Sequence, residues 1–142
     1  MVKYKQIGDS LFIGPQPTGQ DLKDAKLQGI QTVIDFRMPE ETATPNAELV
    51  TGNGLNYVNI PVNKDRLSEQ QIGKLDEAMK RHEGPYLLHC ATGTRAAMLL
   101  ALSRAKQNEW TAERTFQEAE SMGFNLRSSA NFAAFVTRAM GK

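Results

Sequence analysis

The chain has 142 residues, 40% hydrophobic and 23% charged, enough for one domain (1–142) with a proper core. Its 17 Lys and Arg nearly balance 16 Asp and Glu, a net charge of +1, so no field suited to nucleic acid or a membrane surface is expected. The start of the chain lacks an apolar signal core, the longest apolar run (96–102) is too short to cross a bilayer, and a lone cysteine cannot form an internal disulfide; a cytoplasmic protein is expected.

In chain order, residues 10–13 read as a short strand ended by Gly14-Pro15-Gln16-Pro17. Thr18, three residues before Asp21, gives a capping-box-like start to a helix reaching about Gln28, and Gly29 closes it. Residues 32–36, Thr-Val-Ile-Asp-Phe, form the clearest β run. A loop over 37–41 leads to a short helix over 45–51 and to turn residues Gly52-Asn53-Gly54. A strand over 55–60 ends at Pro61, and Ser68 with Gln71 is predicted to cap a helix to about His82. After Gly84-Pro85 comes a buried strand that starts at Tyr86 and stops at Cys90; helices over 94–108, 111–122 and 129–140 follow. Strands alternating with helices predict an α/β fold, a short and mainly parallel sheet of four to five strands flanked by about six helices.

The stretch from Tyr86 to Arg95 concentrates the chemistry. A strand, a Gly-containing loop (Ala91, Thr92, Gly93, Thr94) and a helix amino terminus make an anion cradle, with amides pointing inward and the helix dipole adding roughly half a positive charge. A thiol at Cys90, the start of that loop, is expected to ionise easily and act as a nucleophile. Arg95 offers a planar fork for two oxygens of a phosphate or sulfate. Strand alternation turns His89 away from the Cys90 side chain, so its expected part is to hold the backbone of the cradle. Ligands of parallel sheets sit beyond the strand carboxyl ends, which brings in the loops after Asp35 and around Asp65. Asp65, on a loop that can close over a substrate, is the expected general acid; Asp35 either shares that part or holds Arg37 and the cradle. Lys64, Arg66 and Arg127 are expected to widen a positive rim. His82 reads as a solvated helix end, and one Cys with two His makes no structural zinc set. Thiolate and guanidinium supply nucleophile and charge, so neither metal nor organic cofactor is expected.

The motif His89-Cys90-x-x-Gly93-x-Arg95 resembles the active loop of the cysteine-dependent tyrosine and dual-specificity phosphatases. Around it, Gly14-Pro15-Gln16-Pro17-Thr18, residues 29–37 and residues 57–62 follow an order similar to one bacterial branch, in which a phosphatase-like domain stands alone or beside a β-lactamase-like hydrolase. The resemblance implies a three-layer phosphatase-like fold, hydrolysis of a phosphoester through a phosphocysteine, and as partner a phosphorylated protein or small phosphoester. Two departures stand out. Four residues separate Cys90 from Arg95, where those phosphatases have five and rhodanese-type sulfurtransferases have four. Ala96 stands where a Ser or Thr usually follows the arginine and helps the thiolate leave. Persulfide chemistry at Cys90, or a low-turnover module that binds oxyanions, are therefore the alternatives.

Overall fold

The computed structural model describes residues 4–41 and 46–141. Its five-stranded sheet runs in the order β1 (Lys5–Ile7), β2 (Leu11–Gly14), β5 (Tyr86–His89), β3 (Thr32–Asp35), β4 (Asn56–Asn59). Only β1 is antiparallel to its neighbour. The helices are α1 (Gly19–Leu27), α2 (Asn46–Gly52), α3 (Gln70–Arg81), α4 (Thr94–Asn108), α5 (Ala112–Ser121) and α6 (Ala130–Met140). The predicted α/β class with a mainly parallel sheet is what the chain adopts.

Alternation along the strands builds three layers. Val33 and Leu87 point to one face, where they pack with Leu22 and Ala25 of α1 and Val50 of α2. Ile34 and Leu88 point to the other, against α3 to α6. Because both faces are covered, β3 and β5 are buried at every position, as parallel sheets require. Helix α4 is the axis of the second layer: ten of its residues from Arg95 to Ala105 are buried, since α3, α5, α6 and the sheet all pack on it. No described helix is long and apolar enough to cross a membrane.

Three details differ from the sequence reading. Strand β1 was not predicted: it has three residues, two of them exposed, and its place is fixed by pairing with β2 rather than by any apolar pattern. Helix α3 starts at Gln70 with Glu69 as its cap residue, so Ser68 and Gln71 form no capping box; the Ser68 hydroxyl instead accepts the Gln70 N–H at 3.2 Å. Helix α2 begins at Asn46, and Pro45, the expected start, lies outside the described residues. The Thr18–Asp21 capping box does form, with reciprocal bonds of 3.1 and 2.9 Å.

What this frame does for function is set by register. Gly14, His89, Asp35 and Asn59 are matched across the four parallel strands, so β2, β5, β3 and β4 end on one line. The loops that leave this edge are tied together by backbone bonds, Phe36 N–H to the His89 carbonyl at 2.9 Å and Gln16 N–H to the Ala91 carbonyl at 3.2 Å. The candidate site residues Cys90, Arg95 and Asp65 follow that line in the chain's loops and the start of α4.

Candidate active site

Cys90 follows β5 directly, and its sulphur accepts the Gly93 N–H at 3.0 Å, so the loop folds back over the thiol. That turn needs Gly93. Its φ of 105° is left-handed, and a Cβ there would lie 2.7 Å from the Phe124 ring. Gly93 is also the cap residue of α4, whose fifteen residues aim their amino terminus at the loop. Thr92 and Thr94 hydroxyls pair with each other at 3.1 Å, and Ala96 is fully buried.

Arg95 opens α4, and its guanidinium is held end-on. Nη1 and Nη2 donate to the two carboxylate oxygens of Glu41 at 2.7 and 2.6 Å, and Nη1 also donates to the Val62 carbonyl at 3.0 Å. These contacts leave Nε–H and one Nη2–H, the side edge of the fork, available to an oxyanion. The Cys90 side chain lies near enough to the same guanidinium to favour its charged form. The bond to Glu41 is the main reason that Arg95 is held above its ordinary value, and the same bond holds the Glu41 carboxyl below its own.

Glu41→Gln removes one of the two charge-assisted bonds that fix this geometry. We expect kcat/KM on an aryl phosphate to fall about tenfold, for a bond worth roughly 1.5–3 kcal/mol. Faster turnover or tighter phosphate binding would show instead that Glu41 competes with the oxyanion.

Beneath the loop lies a buried polar network. Asp35 accepts from Arg37 at Nε (3.0 Å), Nη2 (3.1 Å) and the backbone N–H (2.9 Å), and from the Tyr57 hydroxyl at 2.8 Å. Burial pushes the Asp35 carboxyl up, but the bonds from Arg37 and Tyr57 outweigh it and hold it below the usual range. Asn59 Nδ2 donates to the Asp35 and Arg37 carbonyls at 2.8 and 3.1 Å. His89 is fully buried, with Nδ1 3.4 Å from the Cys90 carbonyl and 3.8 Å from Asp35 Oδ1. Thus His89 and Asp35 support the cradle from below and do not line the cavity above it.

Burial pushes the His89 imidazole down to about 4 from its ordinary 6.5, against the opposing charge of Asp35. Between those values the unfolded chain binds the extra proton, so stability falls as pH falls through this window, by on the order of 3 kcal/mol in full. Asp35 contributes its own loss only at lower pH, because its carboxyl is held below the usual range. The urea midpoint of the chain should therefore drop between about pH 6.5 and 4, and His89→Gln should flatten that slope. An unchanged slope in the variant would remove His89 as its source.

Above the loop is a cavity of about 800 Å³. Ala91, Thr92, Thr94 and Arg95 form its floor; Cys90, 1% exposed, and Gly93 sit just behind them. Asn63, Lys64 and Asp65 line one side, and Phe124, Asn131 and Phe132 another. Asp65 is exposed, its N–H bonded to Asn63 Oδ1 at 2.8 Å, and Asn131 Nδ2 reaches both Asp65 Oδ1 (3.4 Å) and the Lys64 carbonyl (3.2 Å). The structure thus brings Arg95, the loop residues Ala91, Thr92 and Thr94, and Asp65 around one space, with Cys90 buried and not among its lining residues. The expected basic rim does not form. Of its three members only Lys64 lines the cavity; Arg127 is paired with Glu113 and Glu120 and stacks on Phe116. Glu41, Val62, Phe124 and Asn131 were not singled out from the sequence.

Known proteins resemble this chain in sequence and fold. A Beta-lactamase hydrolase-like protein of Xylella fastidiosa is 30% identical over 130 residues, covering 88% of this chain but only 30% of that protein, so this chain spans less than a third of its relative's length. Among solved structures, a phosphatase candidate (DUF442) of Shewanella putrefaciens superposes with a TM-score of 0.81 at 25% identity, covering 96% of this chain and 88% of that one. TpbA of P. aeruginosa in complex with pTyr shares the fold at a TM-score of 0.68 and 15% identity, covering 99% and 97%. The profile of the family described as Beta-lactamase hydrolase-like protein, phosphatase-like domain, matches residues 3–107. The chain belongs to that family, with a phosphatase-like fold built around the Cys90 loop.

Proposed function

We propose that this chain hydrolyses phosphomonoesters through a phosphocysteine. The observation that carries the reading is the cradle itself, in which the Cys90 sulphur accepts the Gly93 N–H and Arg95, its guanidinium fixed by Glu41 and the Val62 carbonyl, lies at the amino terminus of α4. The Cys90 thiolate attacks phosphorus, forming the S–P bond as the ester P–O bond breaks. Arg95 and the loop amides stabilise the equatorial oxygens while charge moves onto them. Asp65 gives its proton to the departing alkoxide, then takes one from the water that attacks the S–P bond and restores the thiolate. The substrate is a phosphorylated protein or a small phosphoester, and free phosphate or sulfate occupies the same loop. TpbA, with the same fold, binds pTyr, which is in keeping with this reading.

Ala96 bears on the second half-reaction. Its buried methyl offers no hydroxyl to the leaving thiolate, and Thr92 and Thr94 are the hydroxyls nearest in sequence. Slow breakdown of the intermediate relative to its formation follows, and a burst of alcohol release before steady state would show it. The four-residue spacing also supports a second reading, sulfur transfer by a Cys90 persulfide. Parallel assays separate the two: hydrolysis of an aryl phosphate inhibited by vanadate supports phosphoryl transfer. Thiocyanate formation from thiosulfate and cyanide, with no phosphate release, would replace it.

A further inference from the structure

We infer that the site takes a substrate with a single phosphoryl group, carried on a body that is apolar next to phosphorus and neutral or cationic beyond it. Polyphosphates and acidic phosphopeptides are disfavoured. The inference rests on the phosphomonoester reading and adds the substrate class to it.

The cradle has capacity for one dianion: the side edge of Arg95, the loop amides and the α4 terminus. Beyond it, the described residues of the cavity wall offer one further cation, Lys64, against the carboxyl groups of Glu40 and Asp65; Glu41 is already bound to Arg95. Among the described residues no second arginine lines the cavity: Arg66, next to Asp65, is exposed on the same loop but is not part of the wall. Arg37 is buried and bonded to Asp35, and Arg127 is held by Glu113 and Glu120. A second phosphate would thus meet the Glu40 carboxylate with only Lys64 to offset it, Asp65 being neutral while it holds the proton for the leaving group. Charges that share a cavity of this size lie near the Debye length of about 8 Å, so salt leaves much of that repulsion in place. A lysine or arginine on the substrate meets the Glu40 carboxylate favourably.

The wall beside the loop is apolar. The Phe124 ring stands against Gly93, and Phe132 and Met38 also line the cavity. Neutral polar residues complete the lining: the Ser128 hydroxyl donates to the Asn125 carbonyl, and the Asn131 amide to Lys64 and Asp65. A phosphoryl group on an aromatic or aliphatic stem buries that stem against these rings, whereas a hydroxyl-rich polyphosphate leaves them covered by polar surface.

The test compares three probes on the full chain: a phosphotyrosine peptide flanked by Lys, the same peptide flanked by Glu, and inositol hexakisphosphate. Both hydrolysis and protection of Cys90 against iodoacetamide are read. The Lys-flanked peptide should exceed the Glu-flanked one by about tenfold in kcat/KM and in protection at low salt, the gap narrowing as salt rises. Inositol hexakisphosphate should protect least. Glu40→Lys, which alters only an exposed residue of the wall, should shrink or invert the gap. Equal or Glu-favouring behaviour, or best protection by the polyphosphate, overturns the inference while hydrolysis keeps the phosphatase reading. The expected protection order without any hydrolysis does the reverse, and no protection by any probe overturns both.

Discussion

Cys90→Ser should lower phosphomonoester turnover by at least about 10⁴-fold and leave phosphate binding in place. A serine hydroxyl fills nearly the same volume at this 1% exposed position and can still accept the Gly93 N–H, so the loop has no reason to move. What it lacks is an ionised nucleophile, and His89, which faces the Cys90 carbonyl and Asp35 beneath the loop, is not placed to deprotonate it. Thermal stability within a few degrees of the parent, with phosphate binding retained, is the control for folding. Residual turnover within about tenfold of the parent would take the nucleophile away from Cys90.

Asp65→Asn should separate leaving groups. A general acid contributes on the order of 10²–10⁴-fold where the departing alkoxide needs a proton and far less where a stable phenolate leaves. We therefore expect a large loss on an alkyl phosphate such as a phosphoserine-type substrate and a small one on an activated aryl phosphate. Asp65 is placed for this by Asn63 and Asn131, on the cavity wall facing the loop. Asp35→Asn is the comparison. Its carboxylate faces Arg37 and Tyr57 rather than the cavity, so its loss should cost stability and depress all substrates alike. Equal losses at Asp65 across leaving groups would remove it from the mechanism, and a leaving-group dependence at Asp35 would transfer the proton there.

The parts legible in the sequence are those that act locally. Strands β3 and β5 announce themselves because both of their faces are buried, giving short runs with apolar centres, Val33-Ile34 and Leu87-Leu88, the second preceded by Gly84-Pro85. The thiol, the glycine and the arginine lie within six consecutive residues, so their spacing alone describes the loop. The unread parts arrive through space. Glu41 meets Arg95 across 54 residues and the Val62 carbonyl meets it across 33, and neither residue carries a local signature. Phe124 and Asn131 come from the helical layer that packs on α4, where one more aromatic or amide looks like core or surface. The positive rim failed for the same reason: Arg127 is exposed in sequence logic, yet Glu113, Glu120 and Phe116 claim it.

The central claim, phosphoryl transfer to Cys90, is tested most directly by trapping the intermediate. The chain is mixed with an activated aryl phosphate, quenched in acid within the first turnover, digested, and the peptide bearing Cys90 is weighed. The account predicts a gain of about 80 Da on Cys90, one phosphoryl group, absent from Cys90→Ser and lost when vanadate is present. An unmodified Cys90 peptide despite full product release, or a gain of about 32 Da after thiosulfate in its place, would contradict it.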